Sequence, residues 1–446
     1  MTDWTLCIDF GTAYSKAAAA PAGAWASFDP SEVRPLMLSA HEPHGNPFLL
    51  ESALFVDDQR VLFGRAALAR ADELAISKRM ALRSFKTLLS VSDLERALNT
   101  NAPLAVDPHR VFQLRDLIVL YLAYLLTAVE RAAKADPLLA KAVGVSRRYA
   151  APAWRSGDST GMHATIARLF GEAEAFRAAI GKDMLARQGL SLKDIRETLE
   201  RVSATARPVE MGLIFEATAA AAYSSIGLDD TASHFIVVDM GAGTTDIAAL
   251  VRLGPRMVEL PEVRVTLKHA GDFVDRVIAN RILQSAPWAR STEQKTELWS
   301  MAMRAIGDIK ETVFEEGRAT LRYNGRNITL KMNDIAKEPD FRAFVRSLTE
   351  AYDHGLEIVR DDAGARRRSD VQAVAVGGGS GAPFIQELIR RKTKGGRPYV
   401  TPRPATPDWA HAAEFQGNLA PVFPQLAIAI GGALAPEGML AVRADA

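Results

Sequence analysis

"FIVVDMGAGTTDIAAL", residues 235–250, decides how the chain is read. An apolar run stops at Asp239, breaks into glycine and threonine, and resumes as a second strand, the pattern of a tight hairpin. Near the start, "LCIDFGTAYSKAAAA" (6–20) does the same. At an offset of 230 residues Asp9 falls on Asp239, Gly11 on Gly241, Ser15 on Thr245 and Ala18 on Ala248. Identity is weak, but the physical device is shared, and this predicts two similarly folded halves.

The chemistry of the device points to phosphate. Glycine after the aspartate is expected to take positive φ and to bring backbone N–H groups close to a ligand. Successive N–H groups, with the hydroxyls of Thr12, Thr244 and Thr245 and the backbone of Gly243, form a concavity suited to an anion. Asp9 and Asp239, expected to face one cleft, suit magnesium, which keeps several waters and takes few protein oxygens. The sequence holds no G-x-x-x-x-G-K-[ST] loop. Taken singly, Asp-x-Gly-Thr is also how an ordinary hairpin begins; the paired occurrence carries the reading.

At 446 residues, two or more domains are expected. Composition is that of a globular chain, 48% hydrophobic and 24% charged, and 54 basic against 53 acidic residues give a net charge of +1. That balance supplies no reason to expect nucleic acid or an acidic membrane as partner. Cys7 is the one cysteine, so no internal disulfide forms, and its place in a strand suits a small core residue. The N-terminus enters a strand without a signal-peptide pattern. The most apolar helix, 116–133, falls short of the roughly 20 residues a bilayer span needs. A cytoplasmic location is expected.

Strands are expected at 4–9, 14–20, within "PLMLS", and as a hairpin over 51–64. Helical periodicity covers 65–98 and 113–135, a strand at 146–151 leads into "APAW", and helical segments occupy roughly 159–204. "GLIFEATAAAAYSSIG" (212–227) reads as one helix of small residues ended by Gly227. Strands at 235–240, 245–252 and 262–268 precede helices at 272–286 and 291–314, a strand pair at 318–330 and a helix at 340–362. "VQAVAVGGGSGAPFIQELIRR" (371–391) reads as strand, glycine turn and helix. Alternation of this kind means α/β layers. The 155–208 stretch and the Pro-rich 398–424 read as surface additions, and the basic runs 365–370 and 390–397 as solvated loop ends. "HEPHG" (41–45) reads as a turn rather than a metal site, and no G-x-S-x-G elbow is present.

These motifs resemble the actin, sugar-kinase and heat-shock-chaperone superfamily, and most of all the nucleotide-binding domain of the heat shock protein 70 family. "IDFGTAYS" and "VVDMGAGTTDIAAL" resemble its two phosphate motifs, "EATAAAAY" (216–223) its first connecting helix, and "HAGDFVD" (269–275) the segment after phosphate 2. "AVGGGSGAPFIQELI" resembles its adenosine motif and "LAIAIGGALA" (426–435) its second connecting helix. The motifs keep their order from residue 6 to residue 435.

The resemblance implies an actin-like ATPase fold, with two RNase H-like lobes around a nucleotide cleft. One lobe would comprise residues 1–228 plus 418–446, the other 229–417. It implies ATP or ADP with Mg2+ as ligands. Asp9 and Asp239 would organise the metal through water, and Glu216 would orient or deprotonate the attacking water. Gly11, Thr12, Ala13, Tyr14, Gly241, Ala242, Gly243 and Thr244 would line the phosphates. Gly377, Gly378, Gly379 and Ser380 would approach ribose and adenine, with Lys310 beside the base. Asp272 and Asp275 would be structural, or would touch ribose only through water.

The chain departs from the family pattern at several points. Leu68, in "GRAAL", stands where the family has a catalytic lysine; no obvious substitute sits at that spacing, though Arg65, Arg70 or Lys78 could reach in. Ala217 replaces a proline, and Gly381 an arginine that packs on adenine. The sequence ends shortly after the second connecting helix, so no peptide-binding domain is expected. The resulting expectation is a slow Mg-dependent ATPase, chaperone-like, acting as a nucleotide-controlled switch for a partner protein. An actin-like filament-forming ATPase and a small-molecule kinase remain open alternatives.

Overall fold

The structure is a computed structural model that describes residues 3–441 apart from 75, 76, 84, 90, 92, 153–158, 229–232, 369, 394, 395 and 397. Trp154 of "APAW", the expected lobe boundary at 228/229 and parts of both basic runs lie outside the described residues. The chain divides into two compact units, Met1–Asp230 with Arg252–Val258 and Thr406–Ala446, and Thr231–Val251 with Glu259–Ala405.

The first unit is built on β1 (Trp4–Phe10) and β2 (Tyr14–Pro21), an antiparallel hairpin. β3 (Arg34–Pro35) and β4 (Leu50–Glu51) pair with β2. β5 (Leu54–Val56) and β6 (Arg60–Phe63) form a small hairpin that leads into α1 (Gly64–Glu73). Two short helices, α2 (Phe85–Leu89) and α3 (Leu94–Leu98), precede the long α4 (Leu114–Ala135). β7 (Val145–Ala151) then lies parallel to β1. After α5 (Ser159–Ile180) come β8 (Leu190–Ser191), α6 (Leu192–Thr205), β9 (Gly212–Phe215) and α7 (Glu216–Ser224).

The main sheet runs β3-β2-β1-β7-β9, with β4 also on β2. β1 is buried at every position, because it is central and both its faces are covered. α4 lies on one face with Leu117 to Leu126 buried among Ile8, Phe10, Phe85 and Phe170. Among the described residues no helix is long and apolar enough to cross a membrane.

The second unit repeats the first's opening move. β10 (His234–Met240) and β11 (Thr245–Leu253) form the antiparallel hairpin. β12 (Arg256–Leu267) follows, then α8 (Gly271–Gln284), α9 (Thr292–Arg304) and α10 (Ile306–Glu316). β13 (Arg318–Tyr323) and β14 (Arg326–Lys331) pair with each other, and α11 (Met332–Ile335) and α12 (Pro339–Ala365) lead to β15 (Asp370–Val376). A glycine turn, α13 (Pro383–Leu388) and β16 (Tyr399–Pro402) complete it. The sheet order is β12-β11-β10-β15-β16. The registers match across the halves: Asp9 lies beside Lys16 and Ala150, Asp239 beside Asp246 and Val376.

The chain then returns to the first unit with α14 (Phe423–Leu434), which packs on α7 and on β1 and β2. The alanines of β2 and α7 keep that approach close. A Cβ on Gly431 would overlap the Ala219 carbonyl, and one on Gly432 the Cys7 sulfur. Arg148 of β7 reaches the end of α14, donating to the carbonyls of Gly432 and Ala435 and pairing with Glu437.

Several expectations are corrected. Residues 212–215 are a strand, and the helix starts at Glu216. The 155–208 stretch is not a helical appendage, since β8 joins β6 as the third strand of a small sheet. The 291–314 helix is two helices meeting at Ala305. The Pro-rich stretch is more than surface: β16 pairs with β15, and Phe415, Leu419 and Phe423 are buried.

The α7–α14 crossing yields a stability test. Gly431→Ala should cost about 1–3 kcal/mol, because the overlapping atom is backbone. Gly364→Ala in α12, where an added methyl meets nothing within 4 Å, should instead gain up to about 1 kcal/mol. Chemical denaturation of the two variants measures both; equal shifts would contradict the close crossing.

Candidate phosphate-binding site

In the first unit, Asp9 is the penultimate residue of β1 and is 2% exposed. A charge so buried needs a partner. Hairpin register supplies one, since Lys16 is its cross-strand neighbour and places Nζ 2.6 Å from Asp9 Oδ2. Gly11 does not take positive φ. It is required for space: a Cβ there would meet the Tyr14 carbonyl, and Lys16 Nζ at 2.9 Å. The turn is buttressed from behind by a hydroxyl cluster. Tyr121 donates to Ser15 Oγ at 2.9 Å, Ser15 and Ser52 are 3.1 Å apart, and the Ser52 N–H donates to the Ala13 carbonyl. Burial and the adjacent Glu51 push the Tyr14 phenol up to about 12, so it stays neutral.

Glu216 opens α7 at the end of β9 and is 6% exposed. Its partner is Lys86 of α2, with Nζ 2.7 Å from Glu216 Oε2. The cation beside Glu216 thus comes from α2 and not from position 68. Leu68 packs against an apolar cluster with Ala53, Phe55 and Ala67. Arg65 pairs with Glu42, and Arg70 with Asp57 and Glu73, rather than with Glu216. The first unit thus gathers two buried lysine–carboxylate pairs at the ends of β1 and β9. Cys7 lies within the field of Asp9, Glu216 and Arg148, and burial pushes its thiol far up, which fits a core residue rather than a nucleophile.

In the second unit, Asp239 is the penultimate residue of β10 and Gly241–Thr244 form the turn. Gly241 also lacks positive φ. The Gly241 N–H donates to the Thr244 carbonyl at 3.0 Å, closing the turn. The Gly271 and Asp272 N–H groups of α8 donate to the carbonyls of Gly241 and Ala242. The expected hydroxyl donors point inward instead: Thr244 donates to Asp246 Oδ2 and Thr245 to the His269 carbonyl. Asp246, held by Thr244 and Thr266, stands where the first half has Lys16.

The turn after β15 folds over the same strand end. Gly377 has φ +84°, and a Cβ would sit 2.5 Å from Asp239 Oδ1 and from the Met240 carbonyl. The Gly379 N–H donates to the Met240 carbonyl at 2.9 Å. Gly378 is exposed, whereas Ser380 is 1% exposed and packs inward. Nothing within 4 Å would meet a side chain on Gly381, so that edge of the turn is open. Lys310 pairs with Asp275 at 2.7 Å, which gives Asp275 its structural role.

Lys16 and Lys86 are functional candidates that the motifs did not single out. Lys16 has a signal, a lone cation in an alanine strand opposite Asp9 once the hairpin is folded. Lys86 has none, because only tertiary structure brings α2 to Glu216.

Residues 210–402 match the family model described as Hsp70 protein. Over 58 residues, 13% of this chain, the sequence is 47% identical to actin-like protein MamK of Paramagnetospirillum magneticum, covering 16% of that protein. Over 58 residues it is 45% identical to actin-like protein MamK of Magnetospirillum gryphiswaldense, covering 15% of it. The shared stretch is thus a small part of these relatives' length.

The Lys16–Asp9 pair makes a further prediction. Lys16→Met leaves a buried carboxylate without its cation and should cost about 3–5 kcal/mol. Lys16→Met with Asp9→Asn should recover most of that loss in the same denaturation assay. A double variant as unstable as the single one would show that the pair is not the source of the cost.

Proposed function

We propose, of a chain that belongs to the Hsp70/actin-like ATPase family and has its mixed α/β fold, that it binds ATP with Mg2+ and hydrolyses it slowly as a switch. The observation that carries the reading is the repeated strand end, with a buried aspartate and a close backbone turn at the same register in both halves. Gly11, Thr12, Ala13 and Tyr14 would take phosphate on one hairpin, and Gly241, Ala242, Gly243 and Thr244 on the other. Gly377, Gly378 and Gly379 would lie along ribose and base, with Lys310 near the base through its stem.

The described residues contain no group of three or more His, Cys, Asp or Glu able to hold a metal. Asp9 has one oxygen on Lys16. This donor set fits magnesium that keeps its waters and touches Asp9 and Asp239 through them. When bound, the ion would neutralise phosphate charge. Lys16, 2.9 Å from the position a Gly11 side chain would occupy, is placed to add its own charge at the same turn.

Glu216 would orient the attacking water or take its proton as the bond from the γ-phosphorus to the ADP oxygen breaks. Lys86 holds one Glu216 oxygen, which supports slow turnover for a reason other than a missing lysine. Because small residues let α7 and α14 cross closely, they are suited to shear when nucleotide binds, and a partner protein would read that movement. A second reading, nucleotide-driven assembly of copies of this chain, is supported by the actin-like relatives. Light scattering on addition of ATP distinguishes it.

The test is calorimetry of Mg·ATP with Asp9→Asn and Asp239→Asn. Each should weaken the metal-dependent part of binding by about 1–3 kcal/mol, the size of a lost charge-assisted interaction. Unchanged affinity in both contradicts the assignment. In single-turnover assays Glu216→Ala should abolish hydrolysis and leave binding nearly intact; a brisk rate in that variant rules out its role.

A further inference from the structure

We propose that the first unit carries a second ligand site, a cleft between α4, α5 and α6 that binds a small zwitterion: an α-amino acid with an apolar side chain. The site uses none of the phosphate-turn residues and stands independently of the nucleotide reading.

The cleft encloses about 250 Å³. That is just below the roughly 300–1,000 Å³ of drug-sized ligand sites, so it suits a small metabolite. Three helices build it. The first turns of α4 supply Arg115, Asp116 and Val119, α5 supplies Glu172, and α6 supplies Arg196, Leu199, Glu200 and Ser203. The α6 residues recur at spacings of three and four, which is one face of a helix. The start of α6 is fixed, because β8 pairs with β6 and the Ser191 side chain accepts the Asp194 N–H as N-cap. Phe112, Val119 and Val202 are buried and give the cleft its apolar surface.

Charges of both signs line the cleft, and their own pairing is incomplete. Glu172 is 5% exposed and pairs with an Arg115 Nη. Arg115 Nε, however, is buried without a hydrogen-bond partner. A buried donor without an acceptor is costly, and a ligand oxygen would remove that cost. Arg196 and Glu200 stand one turn apart on α6, yet among the described residues neither forms an ion pair. Asp116 is already spent on its own helix, where Oδ2 accepts the Gln113 N–H.

This combination selects the ligand. An anion alone would meet the carboxylates of Glu172 and Glu200, and a cation alone would meet the two guanidinium groups. A molecule carrying both charges satisfies both sets. Its carboxylate accepts from Arg115 Nε and Arg196, and its ammonium donates to Glu200 and Glu172. An apolar side chain then lies against Phe112, Val119, Leu199 and Val202, where its removal from water adds to binding.

Calorimetry of the whole chain with L-leucine, isocaproate and isoamylamine tests the site. Isocaproate is leucine without its ammonium, and isoamylamine is leucine without its carboxylate. Leucine should bind, and each truncated probe should bind about 10–100-fold more weakly. Arg196→Met and Glu200→Gln should each weaken leucine by a similar factor. Both side chains are exposed, so these variants should keep the fold, which circular dichroism checks. Arg201→Met, on the same helix but outside the cleft, should leave leucine affinity unchanged. A wild type that does not bind leucine overturns the site. Isocaproate or isoamylamine binding as well as leucine overturns the zwitterion assignment, and full leucine affinity in either Arg196→Met or Glu200→Gln does the same. A loss in Arg201→Met equal to that in Arg196→Met shows that leucine binds elsewhere and overturns the proposal.

Discussion

Two carboxylates buried at the strand ends of the first unit, Asp9 and Glu216, are tolerable only because each holds a lysine. That constraint propagates. Lys16 reaches Asp9 only in the hairpin register that puts Asp9 opposite it, and that register needs a turn with no side chain at position 11. Lys86 reaches Glu216 only if α2 is docked, and α2 is docked by Phe85 against Phe10 and Tyr121. Tyr121 in turn braces the hairpin through Ser15 and Ser52. Charge neutrality, ring stacking and hydroxyl bonding thus converge on one turn.

Buried ion pairs of this kind are poor stabilisers, since desolvation offsets much of their attraction. Under the proposed function, a polyphosphate at the turn would meet ammonium groups already desolvated, so little reorganisation would remain at the moment of binding. The second half answers with a different chemistry at the equivalent position, where Asp246 is held by two threonines and the turn offers backbone N–H groups. The halves share the strand-end register but differ in the side chain across from the aspartate.

Much of this was legible in the sequence because the two hairpins and the glycine turn are local. Asp-x-Gly spacing places an aspartate at a strand end, and "GGGSG" places bare backbone after β15, whatever the rest of the chain does. The physical reason first attached to Gly11 and Gly241 was wrong: close backbone approach, rather than positive φ, demands glycine at 11. Residues 212–215 read as helix because the alanine run beyond Glu216 dominates the window, whereas burial beside β7 makes them a strand. Lys86 was illegible for a deeper reason. Its partner is 130 positions away in sequence, and no spacing rule links a five-residue helix to the start of α7.

The most direct test of the account is a crystal structure of the whole chain with Mg2+ and a non-hydrolysable ATP analogue. Phosphate oxygens are expected on the turns 11–14 and 241–244, within about 3 Å of their backbone nitrogens. Nucleotide bound elsewhere would contradict the nucleotide reading.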